Sequence, residues 1–135
     1  MRGLPSLRRR GLLGALAWAS MVIWGANPRA AQLSEDGDAR VAKKLLTLLH
    51  DPERARRVGA VYLQSSPEGL GPPRALAETV LAEMGPNAGI EAIRRYTVAR
   101  IRRELQDVKV ISLDGWIMSP TEAQLCALAA AGGLP

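Results

Sequence analysis

The chain has no phenylalanine, one cysteine and one histidine in 135 residues. A single cysteine excludes an internal disulfide, so an exported form must hold together by packing or by a partner. Cys126 and His50 cannot make a Cys/His zinc site without carboxylates, and no metal-ligand spacing surrounds either. The G-x-G-x-x-G, P-loop and G-x-S-x-G patterns are all missing. With them go the sequence signals for a dinucleotide, a cradled phosphate and a serine nucleophile. From Leu33 onward only Tyr62, Tyr96 and Trp116 are aromatic, so a core there is built mainly from Leu, Val, Ile and Ala. That stretch is one domain's worth of chain and buries one modest core. It holds no internal repeat and no biased tract beyond an alanine-rich end.

Acid is also missing before Glu35. Arg8, Arg9 and Arg10 precede an uncharged run from Gly11 to Pro28, rich in Leu, Ala, Gly and Trp. A basic segment followed by an apolar one is the pattern of an export signal. Arg9 and Arg10, with Leu12 and Leu13 behind them, resemble the twin-arginine class, which carries folded cargo through its own translocase. Arg8 stands where that class prefers Ser or Thr, and Gly14 where it often has Lys; the general secretory route is the alternative. Ala30 and Ala31 offer small residues for cleavage, but Arg29 breaks the small-x-small pattern. Cleavage is the expectation. Without it, residues 1–32 become an anchor near the lower limit of a spanning helix, with the arginines held on the cytoplasmic side.

The high isoelectric point belongs to this opening segment. Five basic residues fall before Leu33; from there on, 13 basic residues balance 13 acidic ones. A nucleic-acid partner inferred from net charge therefore has no support in residues 33–135.

Within that domain, Ser34 to Asp38 reads as an acidic, turn-prone entry, and Val41, Ala42, Leu45, Leu46, Leu48 and Leu49 predict a helix from Ala39 to about His50. Asp51 caps a second helix, with Pro52 at its first position, running to about Gln64 with Ala55, Val58, Val61 and Tyr62 inward. The Pro/Gly-rich stretch from Ser65 to Pro73 breaks the chain. A third helix follows to Met84, ended by Gly85, and a fourth from about Ala88, opened by Asn87, to Gln106. The fourth carries an apolar stripe of Ile90, Ile93, Thr97, Ile101 and Leu105. Val108 to Leu113 reads as extended, Asp114-Gly115 as a tight turn and Trp116 to Met118 as the returning strand. Ser119-Pro120-Thr121-Glu122 is a capping box in which Ser119 and Glu122 open a last helix to about Ala131. The expected architecture is mainly α: a bundle of four or five helices, with a hairpin or extended arm over about 108–118 before the last.

The segment Leu113-Asp114-Gly115-Trp116-Ile117-Met118-Ser119-Pro120-Thr121-Glu122-Ala123-Gln124-Leu125-Cys126-Ala127-Leu128 resembles the D-G-W-[IV]-[LM]-S-x-T-E-A-x-x-C-A-L block of small twin-arginine-exported helical proteins of proteobacteria. Asp51 to Leu63 and Pro67-Glu68 are similar as well. The resemblance implies an exported location and a helical fold. It implies no activity.

Few side chains invite chemistry. Cys126 reads as a small buried hydrophobe and His50 as a residue favoured at a helix C-terminus; a Cys126–His50 pair is the enzymatic alternative. Arg94, Arg95, Arg102 and Arg103 read as a solvated face with acid partners, or as a contact for an anionic partner. Trp116 is expected to plug the core beneath the last helix, with an exposed partner anchor as the other reading. The sequence thus points to an exported, non-catalytic accessory or binding protein without a cofactor, a small subunit beside a periplasmic cofactor-containing oxidoreductase. A membrane-anchored periplasmic domain and a Cys126 enzyme are the alternatives.

Overall fold

Local chemistry starts and stops most elements of this chain. The computed structural model describes residues 28–132. It has helices α1 (Pro28–Leu46), α2 (Pro52–Ser65), α3 (Ala75–Met84), α4 (Ile90–Gln106) and α5 (Pro120–Ala130). An antiparallel pair, β1 (Ile111–Leu113) and β2 (Trp116–Met118), stands between α4 and α5. The fold is mainly helical with a short hairpin before the last helix, as the sequence leads one to expect. Arg9, Arg10, Leu12 and Leu13 of the export pattern lie outside the described residues.

Asp51 accepts a 3.0 Å hydrogen bond from the Arg54 N–H, and Pro52 takes the first turn of α2, where its missing donor costs nothing. Gly85 ends α3 at φ 81. Asp114 and Gly115, at φ 49 and 82, form a primed turn whose twist matches the strands it joins. The register pairs Leu113 with Trp116 and Ile111 with Met118.

Three expectations need correction. The Ser34 to Asp38 stretch is helical, because α1 runs from Pro28 through it and stops at Leu46, short of His50. Gly37, costly inside a helix, is closely packed there: a Cβ would sit 3.1 Å from Leu81 Cδ2. Helix α4 opens at Ile90 behind Gly89, with no side-chain cap from Asn87. The extended run begins at Ile111, because Val108 and Lys109 are used to close α4. Lys109 N–H donates to the Glu104 carbonyl at 2.8 Å and Val108 N–H to Leu105 at 3.1 Å, a Schellman closure. Val108 holds φ 55 there, where glycine is usual and a β-branched residue is strained.

Helix α5 is the centre of the molecule. Thr121, Ala123, Gln124, Leu125, Ala127, Leu128 and Ala129 are buried around most of its circumference, leaving the Glu122, Cys126 and Ala130 stripe part-exposed. One half-core lies on the side of α1, α3 and α4, with Val41, Leu45, Leu76, Val80 and Ile93 against Leu125 and Leu128. The other joins Val58, Tyr62, Leu70 and Leu113 to Ala123 and Ala127. Helix α2 comes so near α5 that a Cβ on Gly59 would overlap the Cys126 carbonyl oxygen and crowd Ala130 Cβ at 2.7 Å.

The buried start of α5 is satisfied by polar groups. Glu122 N–H donates to Ser119 Oγ, and the Ser119 N–H donates to the Glu122 carboxylate at 2.8 Å, which completes the expected capping box. Glu104, from the last turn of α4, accepts the Thr121 N–H at 2.9 Å and the Thr121 hydroxyl at 2.8 Å. Arg100 donates to the same carboxylate at 3.2 Å. Burial would raise the Glu104 pKa, but the Thr121 donors and Arg100 outweigh it and hold the carboxyl below its ordinary value.

Two outcomes follow. Gly59→Ala forces two helix backbones apart and costs about 2–3 kcal/mol, read as a lower denaturation midpoint in urea. Glu104→Gln costs about 1–3 kcal/mol at pH 7 by removing the charged acceptor from three donors. Because the folded pKa of Glu104 is depressed, its contribution is present at neutral pH and fades as pH falls below about 4.3. Acid titration of thermal stability therefore shows wild type and variant converging at low pH.

Candidate functional site

The groove that gathers the chemistry-bearing residues lies between the α1–α2 corner, α5 and β2. It has a volume of about 420 Å³ and a mainly apolar floor that includes Ala55, Val58, Ile101, Leu125 and Cys126. The corner contributes His50, Asp51 and Arg54, and the hairpin contributes Trp116, Ile117 and Met118.

Trp116 is not the core plug expected from its sequence position. It is 54 % exposed and Ile117 is 74 % exposed. The reason lies in the packing of the half-core. Leu113 and Met118 already cover the end of the α2–α5 half-core, so the ring lies along the groove wall instead. Both groove acids are engaged at helix starts: Asp51 caps α2 and Glu122 closes the α5 box.

Cys126 and His50 do line one groove, as the enzymatic alternative requires, but no hydrogen bond joins them among the described residues. Burial, and then the negative charge of Glu122, push the Cys126 thiol up to about 11. It is protonated at neutral pH, which is unfavourable for nucleophilic attack.

The α4 arginines separate into different roles. Arg94 pairs with Glu91 at 3.7 Å and Arg100 with Glu104 at 3.2 Å, the neighbour pairing expected along a helix. Arg95, Arg102 and Arg103 make no ion pair among the described residues. Arg102 borders a shallow depression with Val98, Ile101, Leu105 and Gln106, while Arg103 lines another with Glu83, Tyr96 and Asp107. Arg94, Arg95, Arg102 and Arg103 therefore do not form one patch.

Ile101 belongs both to the groove and to the Arg102 depression, so an apolar track runs from beneath the hairpin onto α4. Val98 and Leu105 on that track are 47 % and 46 % exposed. The expected inward stripe of α4 is therefore narrower than its apolar spacing, with Ile93 and Thr97 buried and Ile90 and Leu105 exposed. Val98 and Ile117 were not among the candidate contacts. The available signal was an excess of apolar positions on α4, more than one buried face accommodates.

Among the described residues no group of three His, Cys, Asp or Glu is placed to hold a metal ion, and no helix is long and apolar enough to cross a membrane. No protein-family model, curated protein or solved structure matches the chain.

The thiol geometry sets one expected outcome. At pH 8 iodoacetamide labels Cys126 slowly in the folded protein and rapidly in denaturant, and the folded rate climbs only as pH approaches 11. Fast labelling at pH 7 in the native state contradicts this environment.

Proposed function

We propose that this protein is an exported, non-catalytic binding module: an accessory subunit that works by protein–protein contact. The observation that carries the reading is the exposure of Trp116 and Ile117 beside an apolar groove. Tryptophan is enriched where partners bind, and a contiguous exposed apolar surface is uncommon without one. The Arg9-Arg10 pair with Leu12 and Leu13 supports twin-arginine export to the periplasm. That route chiefly serves cargo that folds before crossing, commonly around a cofactor. This chain shows no evident cofactor ligands in its sequence, so its partner is proposed to be a periplasmic oxidoreductase carrying the cofactor. The partner class is an analogy from the export route.

The test uses the full chain with a C-terminal affinity tag in its native host, isolated gently from periplasm and membrane. Mass spectrometry reads the N-terminus and whatever co-elutes. The expected result is a processed chain with a stoichiometric oxidoreductase, and at least tenfold less of it with Trp116→Ala/Ile117→Ser. Both residues are exposed, so the thermal midpoint of that variant is expected to stay close to wild type. A chain that elutes alone as a monomer overturns the accessory reading, and an intact N-terminus in the membrane fraction recasts residues 1–32 as an anchor.

A further inference from the structure

We propose that the groove beneath the hairpin and the exposed track of α4 together seat an amphipathic helix from the partner, with an apolar stripe flanked by aspartate and glutamate. This deepens the protein-binding reading and rests on it.

The shape of the surface suits a helix. Val98, Ile101 and Leu105 recur at i, i+3 and i+7, so the track rises about 10 Å along α4 and presents two turns of apolar surface at helical spacing. Ile101 joins it to the groove floor, and Trp116 and Ile117 form a wall. A helix laid in an apolar groove uses this kind of surface, with anchors at i, i+3, i+4 and i+7. The floor residues Ala55, Val58 and Leu125 are buried below the rim. Partner side chains can enter such a recess, whereas a bilayer surface favours apolar residues that protrude.

Charge on α4 selects an acidic partner flank. Asp51 and Glu122, the acids of the groove, are engaged at helix starts, and Glu91 on α4 is paired with Arg94. Arg95 and Arg102, seven residues apart and so on one face of α4, have no ion pair among the described residues. The unpaired cations lie on the α4 side: Arg102 borders the apolar track and Arg95 shares its helix face, while in the groove Arg54 is paired with Asp51 at 3.6 Å, so an acidic flank is complemented along α4. A second copy of this chain is a poor occupant, because a two-fold pairing of the α4 faces sets these arginines against their own copies.

The experiment uses the full chain with Trp18→Phe and Trp24→Phe, which leaves Trp116 as the sole tryptophan. The probes are two helical peptides of about five turns with the same leucine stripe, one flanked by Glu and the other by Lys. The Glu peptide is expected to blue-shift Trp116 emission and to bind at least about tenfold more tightly than the Lys peptide at low salt. Arg95→Glu/Arg102→Glu is expected to reverse that preference with an unchanged circular dichroism spectrum. Equal binding of both peptides, or of neither, overturns the proposal. A blue shift on anionic phosphatidylglycerol vesicles without peptide binding reassigns the surface to a membrane and overturns it as well. So does a concentration-dependent blue shift of the protein alone with a dimer in sedimentation. Failure with the peptides while co-purification stays sensitive to Trp116→Ala/Ile117→Ser refutes the acidic helix and leaves the binding module standing. Loss of both refutes the two together.

Discussion

A helix that begins inside a protein has to find partners for its first N–H groups, and α5 does so with two carboxylates from different distances. Glu122 comes from its own first turn and Glu104 from the last turn of α4. Ser119 and Thr121 are fully buried, so water cannot take the place of these acceptors. The arrangement of the other elements follows from this. Once α5 starts at that point, α4 is held against it by Glu104 and α2 by the contact at Gly59, and the two half-cores fill opposite sides. The hairpin, tied to α5 through Met118 and Ser119, is left on the rim with Trp116 outward.

What was legible in the sequence was what is local. Asp51-Pro52, Gly85, Asp114-Gly115 and Ser119-Pro120-Thr121-Glu122 each act within four residues, and each ends or begins an element where the pattern indicated. The misreadings have tertiary causes. Nothing near Gly37 in the sequence announces that Leu81 and Pro86 will pack against it, so the stretch reads as a turn from sequence. Nothing near Trp116 shows that Leu113 and Met118 already cover that end of the core. The clasp from Glu104 to Thr121 spans 17 positions and has no periodic signature. The site was half legible. Trp116 and the arginines stand out in the sequence, but the grouping of His50 and Cys126 in one groove, and the split among the arginines, depend on how α2, α4 and α5 come together.

The groove's polar groups are occupied within the fold, and apolar side chains are exposed at its edge. Its thiol is held protonated, its two acids are occupied at helix starts, and its exposed large apolar side chains are an indole and an isoleucine. A site for bond-making gathers activated polar groups in a dry pocket. Here the floor is apolar and open, and it continues through Ile101 onto the α4 track, where Arg102 has no ion pair among the described residues.

Helix α5 has a temporal consequence as well as a spatial one. It is the last described element to be synthesised, yet both half-cores close only on it. A nascent chain that has reached β2 holds four helices whose apolar faces still lack their common partner. Stable structure must therefore wait until α5 has left the ribosome, and the interval before it arrives is when this chain is most open to proteases, chaperones and aggregation.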